Sequence, residues 1–386
     1  MRTNLALANI RSSLTRTIIS VAGIGVAVIL IFMQLGFRGA VENTATTIYG
    51  KMDFDLLVRS KDYLHFVDCR TVPKSLVKKM SSAESVDTAT PFYVSMGNWL
   101  HPEGKLIRGT VIMGAPFDSH PFKDQEVASN LKRLTSDRYI LIDRKTHYEF
   151  GPKNQRKFGD PDLGVVTNIN NQSVEIVGHF EIGAGLTANG SIVTSVRGFA
   201  HLVPIDTTKL ASMILIKLKP GVSASQAAEN LESIVGGDDH AEVLTRDEVI
   251  RAELTRWIDQ TPLGFVFTLG VVVSFIVGSA IVFMVLSNDV SNRLPEYATL
   301  KAMGYTNWYL STIVLKQATY LAIFAFVPAF LLSVGLYQLT SFLANITINM
   351  TLIRAVAVLG ISVFMCWVSG FGALKKLWQA EPASLF

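Results

Sequence analysis

The chain has 386 residues, 49% of them hydrophobic and 17% charged, with a formal net charge of only +4. No stretch clusters Lys and Arg with interleaved aromatics, which excludes a nucleic-acid footprint; Lys78-Lys79 and Lys132-Arg133 read as ordinary solvated pairs. Cys69 lies in a charged region and Cys366 in an apolar run, which argues against an intrachain disulfide.

The mean hydropathy of +0.35 is explained by where the charges sit. Between Arg38 and Gln260 they recur every few positions, and outside that stretch they nearly vanish. Residues 1–16, with Arg2, Arg11 and Arg16, form a cytoplasmic N-terminal amphipathic segment. The first transmembrane helix covers 17–37; its charge-free run Thr17–Leu35 is about 19 residues, enough to cross a hydrocarbon core. That run exceeds the h-region of a cleaved signal peptide and no small-x-small site follows, so the span is retained. Gly23 and Gly25 permit close helix packing, although glycine is also simply common in membrane helices.

Residues 38–245 form the outward domain. Strands are predicted at Phe54–Val58, Leu106–Met113, Tyr139–Ile142, Ser173–Val177 and Ile192–Ser195, and a helix at Pro73–Met80. A β-α-β pattern follows: strand Met213–Leu218, then helix Ala224–Val235 with Ala227, Ala228, Leu231, Ile234 and Val235 on one face. Gly236-Gly237 stops that helix, and Ala241–Leu244 is the next strand. The domain reads as α+β with two lobes. A stalk helix, 246–261, places Trp257 as an interfacial anchor; Thr261 suits an N-cap and Pro262 the first helical position.

The second span runs over 262–287, with Gly278 and Ser274 as a packing face, and a cytoplasmic loop covers 288–307. The third covers 308–336, where Pro328 should kink the helix and Lys316 can snorkel to the interface. A short outer loop, 337–352, precedes the fourth span, 353–371, and a tail, 372–386. Arg293, Lys301, Lys375 and Lys376 flank the spans on the side of Arg11 and Arg16, so both termini face the cytoplasm. The fold class is an α-helical membrane protein with four transmembrane helices plus a large α+β periplasmic domain inserted between helices 1 and 2.

A catalytic constellation is not visible. The chain lacks a P-loop, a HExxH motif and any Cys or His pair at metal-ligand spacing. Gly183-Ala184-Gly185-Leu186-Thr187-Ala188 matches a dinucleotide fingerprint by spelling, but Asn189-Gly190 and a β-rich run follow it, so a loop or hairpin is expected. The informative short segment is LPEYATLKAMGY, Leu294–Tyr305. Pro295 can open a helix, Glu296 suits its positive end and Gly304 closes it. Such a helix is either a docking surface for a soluble partner or a plain interfacial helix.

This segment resembles the cytoplasmic loop of MacB/FtsX-type permeases. Further pieces resemble their DevC-like branch: AGIGVAVILIFMQLGF (Ala22–Phe37), Trp257 with TPLGFVFTLG up to Gly270, the tail QAEPASLF (Gln379–Phe386) and GHFEIGAGLTANGSIVTS (Gly178–Ser195). The resemblance implies a type VII ABC system in which two permease copies, as a homodimer, pair with a separate ATPase that holds the ATP and Mg; this chain then needs no cofactor and is not itself an enzyme. In that scheme Leu294, Pro295, Glu296, Tyr297, Thr299, Leu300, Lys301, Met303, Gly304 and Tyr305 form or adjoin the ATPase-coupling element. The resemblance further implies mechanotransmission among membrane lipids, a periplasmic adaptor, a TolC-like outer-membrane duct and lipid-like cargo. The alternatives are a cell-division-type scaffold regulating a cell-wall hydrolase, and a lipoprotein-release permease.

Overall fold

A computed structural model describes residues 14–104, 106–154, 157–183, 185–186, 188–235, 240–344, 346 and 348–379. The N-terminal arginines Arg2 and Arg11, Ala184 and Thr187 of the glycine-rich loop, the Gly236-Gly237 helix stop and the tail beyond Gln379 lie outside the described residues. The chain divides into two compact units, Met1–Val41 with Ile258–Phe386, and Glu42–Trp257.

Helix α1 (Leu14–Lys51) runs well past the expected end of the first span. Arg38 and Glu42 interrupt the apolar run, but the helix continues because Ile48, Tyr49 and Met52 find a hydrophobic core in the second unit. The strands of that unit are β1 (Leu56–Ser60), β2 (Val72–Pro73), β3 (Val86–Leu100), β4 (Ile107–Ala115), β5 (Tyr139–Asp143), β6 (Val166–Ile169), β7 (Gln172–Phe180), β8 (Ser191–Ser195), β9 (Leu210–Ala211), β10 (Met213–Leu218) and β11 (Ala241–Thr245). Between them lie α2 (Ser75–Ser81), α3 (Gln125–Leu131), α4 (Val196–Leu202) and α5 (Ala224–Val235), and α6 (Arg246–Leu254) follows the last strand. The helix expected over Pro73–Met80 begins at Ser75, because Val72 and Pro73 pair with Ala211 and Leu210 instead.

Nine strands form one sheet in the order β11-β1-β10-β3-β4-β8-β5-β7-β6. The β10-α5-β11 unit is split, since β1 lies between its two strands and pairs antiparallel with both. Strand β3 is the seam: residues 86–92 pair with β10, and residues 93–100 pair with β4. Its far end also pairs with β6, Trp99 opposite Ile169 and Leu100 opposite Asn168, which closes β3-β4-β8-β5-β7-β6 into a ring. The two lobes expected from the sequence therefore share a strand and are halves of one sheet.

Alternate residues feed two cores. Tyr93, Ile112, Ile140, Ile192 and Ile214 enter one cluster, whereas Phe92, Met113, Leu141, Val193 and Leu215 enter the other. Successive side chains on a strand point to opposite faces, so β5, β8 and β10 are covered on both faces, whereas β7 alternates buried and more exposed residues. On α5, Ala227, Ala228, Leu231 and Val235 are buried as predicted, but Ile234 is 39% exposed at the margin of the stripe.

The remaining helices are α7 (Pro262–Asn292), α8 (Leu294–Ala302), α9 (Asn307–Ala344) and α10 (Leu352–Gln379). Among the described residues four helices, α1, α7, α9 and α10, are long and apolar enough to cross a membrane. They share a core that includes Ile24, Val28, Phe32, Val282, Ala322, Ala325, Val358 and Met365. Their other faces carry exposed Phe265, Ile276, Leu331, Phe342 and Ile353, a surface suited to lipid rather than water. Helix α9 passes through Pro328 without a break and extends beyond Leu336 into the segment expected to be a loop. Buried Tyr337 explains the extension: its hydroxyl donates to the Phe32 carbonyl of α1, so this turn is held by packing.

Candidate functional site

Helix α8 is built as its residues predict. Pro295 occupies its first turn with Glu296, and Gly304 leaves it at φ +92°. Its two faces differ. Tyr297 and Ala298 are buried, and Tyr297 packs with Val290, Leu310, Ile313, Val314 and Leu374. Leu300 lies partly buried against the same cluster, and Leu294 and Lys301 are half-buried. Pro295, Glu296, Thr299, Met303, Gly304 and Tyr305 are exposed. The surface continues into α9, where Tyr305 and Tyr309 stack with centroids 4.9 Å apart and Trp308 is 76% exposed. Of the predicted coupling residues, Tyr297 thus belongs to the scaffold, while Trp308 and Tyr309 join the surface. In sequence, aromatics at a span end equally suit a membrane-interface belt, so nothing local singles these two out.

A second constellation joins α6 to the end of α1. Thr245 caps α6 with Glu248 in a reciprocal pair. Arg246 then donates through Nη1 to the Met52 and Phe54 carbonyls at 3.1 and 3.0 Å, and through Nη2 to those of Tyr49 and Gly50 at 2.5 and 3.1 Å. Its guanidinium also lies 4.7 Å from the Phe54 ring centroid. The last carbonyls of a helix lack internal partners and carry partial negative charge, and the guanidinium takes up two of them here, those of Tyr49 and Gly50, together with two just beyond the helix.

Further along α6, the buried Glu253 accepts from the Tyr63 hydroxyl and, at 3.2 Å, from the Trp257 indole; Tyr63 and Tyr49 share a 2.7 Å hydrogen bond. Arg59 stacks 4.1 Å over the Tyr63 ring. Trp257, expected as an interfacial anchor, commits its N–H to Glu253 and lies 6.2 Å from the His65 ring. Burial pushes Glu253 above the usual carboxylate range, opposed by the Tyr63 hydroxyl and by Arg59, and burial likewise raises the Tyr63 phenol. A raised folded-state pKa favours the protonated acid, so its contribution to stability is complete below the unfolded pKa and is lost as pH rises through the folded one. Amide protection of α6, measured by hydrogen exchange in wild type relative to Glu253→Gln, is therefore expected to fall as pH rises above the ordinary glutamate value of about 4. Parallel pH profiles for the two proteins would refute this.

After α6 the chain widens into a π turn, Thr255–Asp259, a form frequent at functional sites. Thr261 takes the N-cap position of α7 with extended backbone but no side-chain cap bond, and Pro262 opens the helix as expected. Gly264, which the sequence reading did not single out, packs directly on the Ile258 main chain, whose Cα would be 2.9 Å from an added Cβ. Among the predicted packing glycines, Gly278 faces Met365 and has room for no Cβ, which would lie 2.7 Å from the Ala27 methyl. Gly23 faces Ile281 at 2.9 Å, whereas Gly25 has nothing nearer than 3.9 Å.

The fingerprint-like stretch is a loop between β7 and β8, with φ +105° at Gly183 and +73° at Gly185. Buried Asp143 holds it by accepting from Ile182 N, Gly183 N and Ser191 Oγ, and a Cβ on Gly185 would meet Ile48 of α1 at 3.3 Å. The glycines thus serve a close approach of the loop to α1. Among the described residues no group of His, Cys, Asp and Glu is arranged to hold a metal ion. His179 is held between Glu126 and Asp160, and Arg144 lies against the same ring.

The MacB-like periplasmic core domain model matches residues 17–234, and the FtsX-like permease C-terminal model matches 268–382. No curated protein matches the chain. The periplasmic region of MacB from Actinobacillus actinomycetemcomitans is 12% identical, over 53% of this chain and 94% of that one, with a TM-score of 0.37. The extracellular domain of the noncanonic ABC-type transporter YknZ from Gram-positive bacteria is 13% identical over 50% and 99%, with a TM-score of 0.33. A permease domain from Porphyromonas gingivalis is 16% identical over 52% and 99%, with a TM-score of 0.34. Two family models that between them run from the first span almost to the end place the chain in a single family: it belongs to the MacB/FtsX-type ABC permeases.

Proposed function

We propose that this permease is the transmembrane subunit of an ATP-driven exporter that works by mechanotransmission, with the nucleotide and its Mg held by a separate ATPase. It sits in the inner membrane as a homodimer, with both termini cytoplasmic and the α+β unit periplasmic. In this reading α8 and the exposed Met303, Tyr305, Trp308 and Tyr309 receive the ATPase, and the α+β unit acts on lipid-like cargo with a periplasmic adaptor and a TolC-like duct, as in the DevC-like branch.

One observation carries the reading. The two segments by which the chain enters and leaves the α+β unit, α1 and α6, are tied to each other by Arg246 and by the Tyr49–Tyr63–Glu253 chain. Ends joined in this way pass a displacement to the sheet together instead of shearing past one another. In the same unit the buried carboxylates of Glu253 and Asp143 are taken up by internal hydrogen bonds.

Affinity purification from the native membrane tests the reading. An ATPase and an adaptor in the eluate are expected; a cell-wall hydrolase activator would replace it with the scaffold reading, and bound lipoprotein with lipoprotein release. Within the purified complex, Trp308→Asp with Tyr305→Ala should lower permease-stimulated ATP hydrolysis at least about tenfold, the loss of roughly 1.4 kcal/mol of coupling. Tyr305 and Trp308 can be changed without opening the core, since both are exposed. Undiminished hydrolysis would sink the docking assignment.

A further inference from the structure

The junction between α7 and α8 holds a polar chain that the packing described above does not use. Arg293 is at once the residue that ends α7 and the residue that begins α8, at φ −106° and ψ 10°. Its backbone N–H still bonds the Asp289 carbonyl at 3.2 Å. Its guanidinium reaches both ways: Nε lies 3.4 Å from Asp289 Oδ1 in the last turn of α7, and Nη1 lies 3.5 Å from Glu296 Oε2 in the first turn of α8. Asp289 is in turn fixed to α9, because Gln317 Nε2 donates to its Oδ2 at 2.7 Å. Asp289 is 6% exposed and Gln317 5%.

Two physical points make this more than a surface ion pair. A carboxylate buried to that degree is costly unless paired and hydrogen-bonded, and both of its oxygens are engaged here, by different helices. Polar side chains enclosed within apolar helices are also expensive and tend to serve function. Glu296 at the other end is exposed, so the chain runs from the surface of α8 through the Arg293 guanidinium into the helical core.

We propose that Arg293 is a positioning residue that locks the elbow between α7 and α8, anchored through Asp289 of α7 to Gln317 of α9. A push on α8 is then delivered to α7 and α9 together and is not lost as rotation at the junction. This rests on the coupling role proposed for α8 and supplies the device by which α8 would act.

The test uses the full-length permease in lipid nanodiscs, alone and with its copurified ATPase. Arg293→Ala is expected to speed hydrogen exchange of the α8 amides about tenfold or more while the middle of α7 is unchanged; Gln317→Leu, which deletes one hydrogen bond without adding charge, should act in the same direction. The double variant Asp289→Asn with Arg293→Ala should be no looser than Arg293→Ala alone, since contacting partners are not additive. Arg293→Lys, a point charge without a fork, should recover only part of the protection. Unchanged α8 exchange in both Arg293→Ala and Gln317→Leu overturns the proposal, as does strict additivity in the double variant. A loosened α8 accompanied by undiminished permease-stimulated hydrolysis supports the elbow and counts against the coupling reading, so the two fail separately.

Discussion

Arg246→Ala is expected to free the end of α1 from the start of α6 and to cost the α+β unit about 3 kcal/mol, a typical value for one or two charge-assisted hydrogen bonds. The reasoning counts acceptors. Arg246 bonds the carbonyls of Tyr49, Gly50, Met52 and Phe54. Water can replace it at the exposed Gly50, but Tyr49, Met52 and Phe54 belong to a buried cluster. Removing a cation from a helix C-terminus adds a loss of about 0.3–1 kcal/mol. Arg246→Lys should fall between wild type and alanine, because an ammonium matches fewer of these acceptors at once. Hydrogen exchange of the last turn of α1 and the first turn of α6 reads the effect, and transport should fall with it. If both turns remain as protected as in wild type, the two helices are held by packing alone and the mechanical reading loses its main support.

The spans and the domain inserted between the first and second were legible because their signals are local. Long apolar runs marked α1, α7, α9 and α10, and strand, turn and amphipathic helix at β10-α5-β11 were readable within one window. Tertiary partners hid the rest. The polar residues that follow Arg38 gave no reason to extend α1, and only the core around Ile48 and Tyr49 does so. Arg246 sits in the charged stalk, Asp289 in the cytoplasmic loop 288–307 and Gln317 inside the third span, and no local pattern marks any of them. Their meaning depends on neighbours 194 and 28 residues away in the chain. Trp257, next to a span, suits an interface anchor, and its N–H also donates to the buried carboxylate of Glu253 one helical turn earlier, a contact the sequence does not show.

The junction between stalk and span is where one methyl group should matter most. Gly264→Ala places a Cβ onto the Ile258 carbonyl oxygen and within 2.9 Å of its Cα. Both are main-chain atoms, so no rotamer change relieves the overlap, and either the π turn or the start of α7 must move. Comparable overpacking costs about 1–3 kcal/mol where side chains can adjust, so a backbone clash should reach or exceed the upper end. Gly335 and Gly360 supply the controls, since an added Cβ at either meets nothing within 4 Å; alanine there should be neutral or favourable by up to about 1 kcal/mol, the helix-propensity gain over glycine. The expected result is a Gly264→Ala permease that inserts and binds its ATPase while transport falls at least about tenfold, corresponding to roughly 1.4 kcal/mol, with Gly335→Ala and Gly360→Ala near wild type. Loss of membrane insertion in Gly264→Ala would instead assign the glycine to folding. Full transport would show that the approach of Ile258 to α7 has no part in carrying motion to the α+β unit.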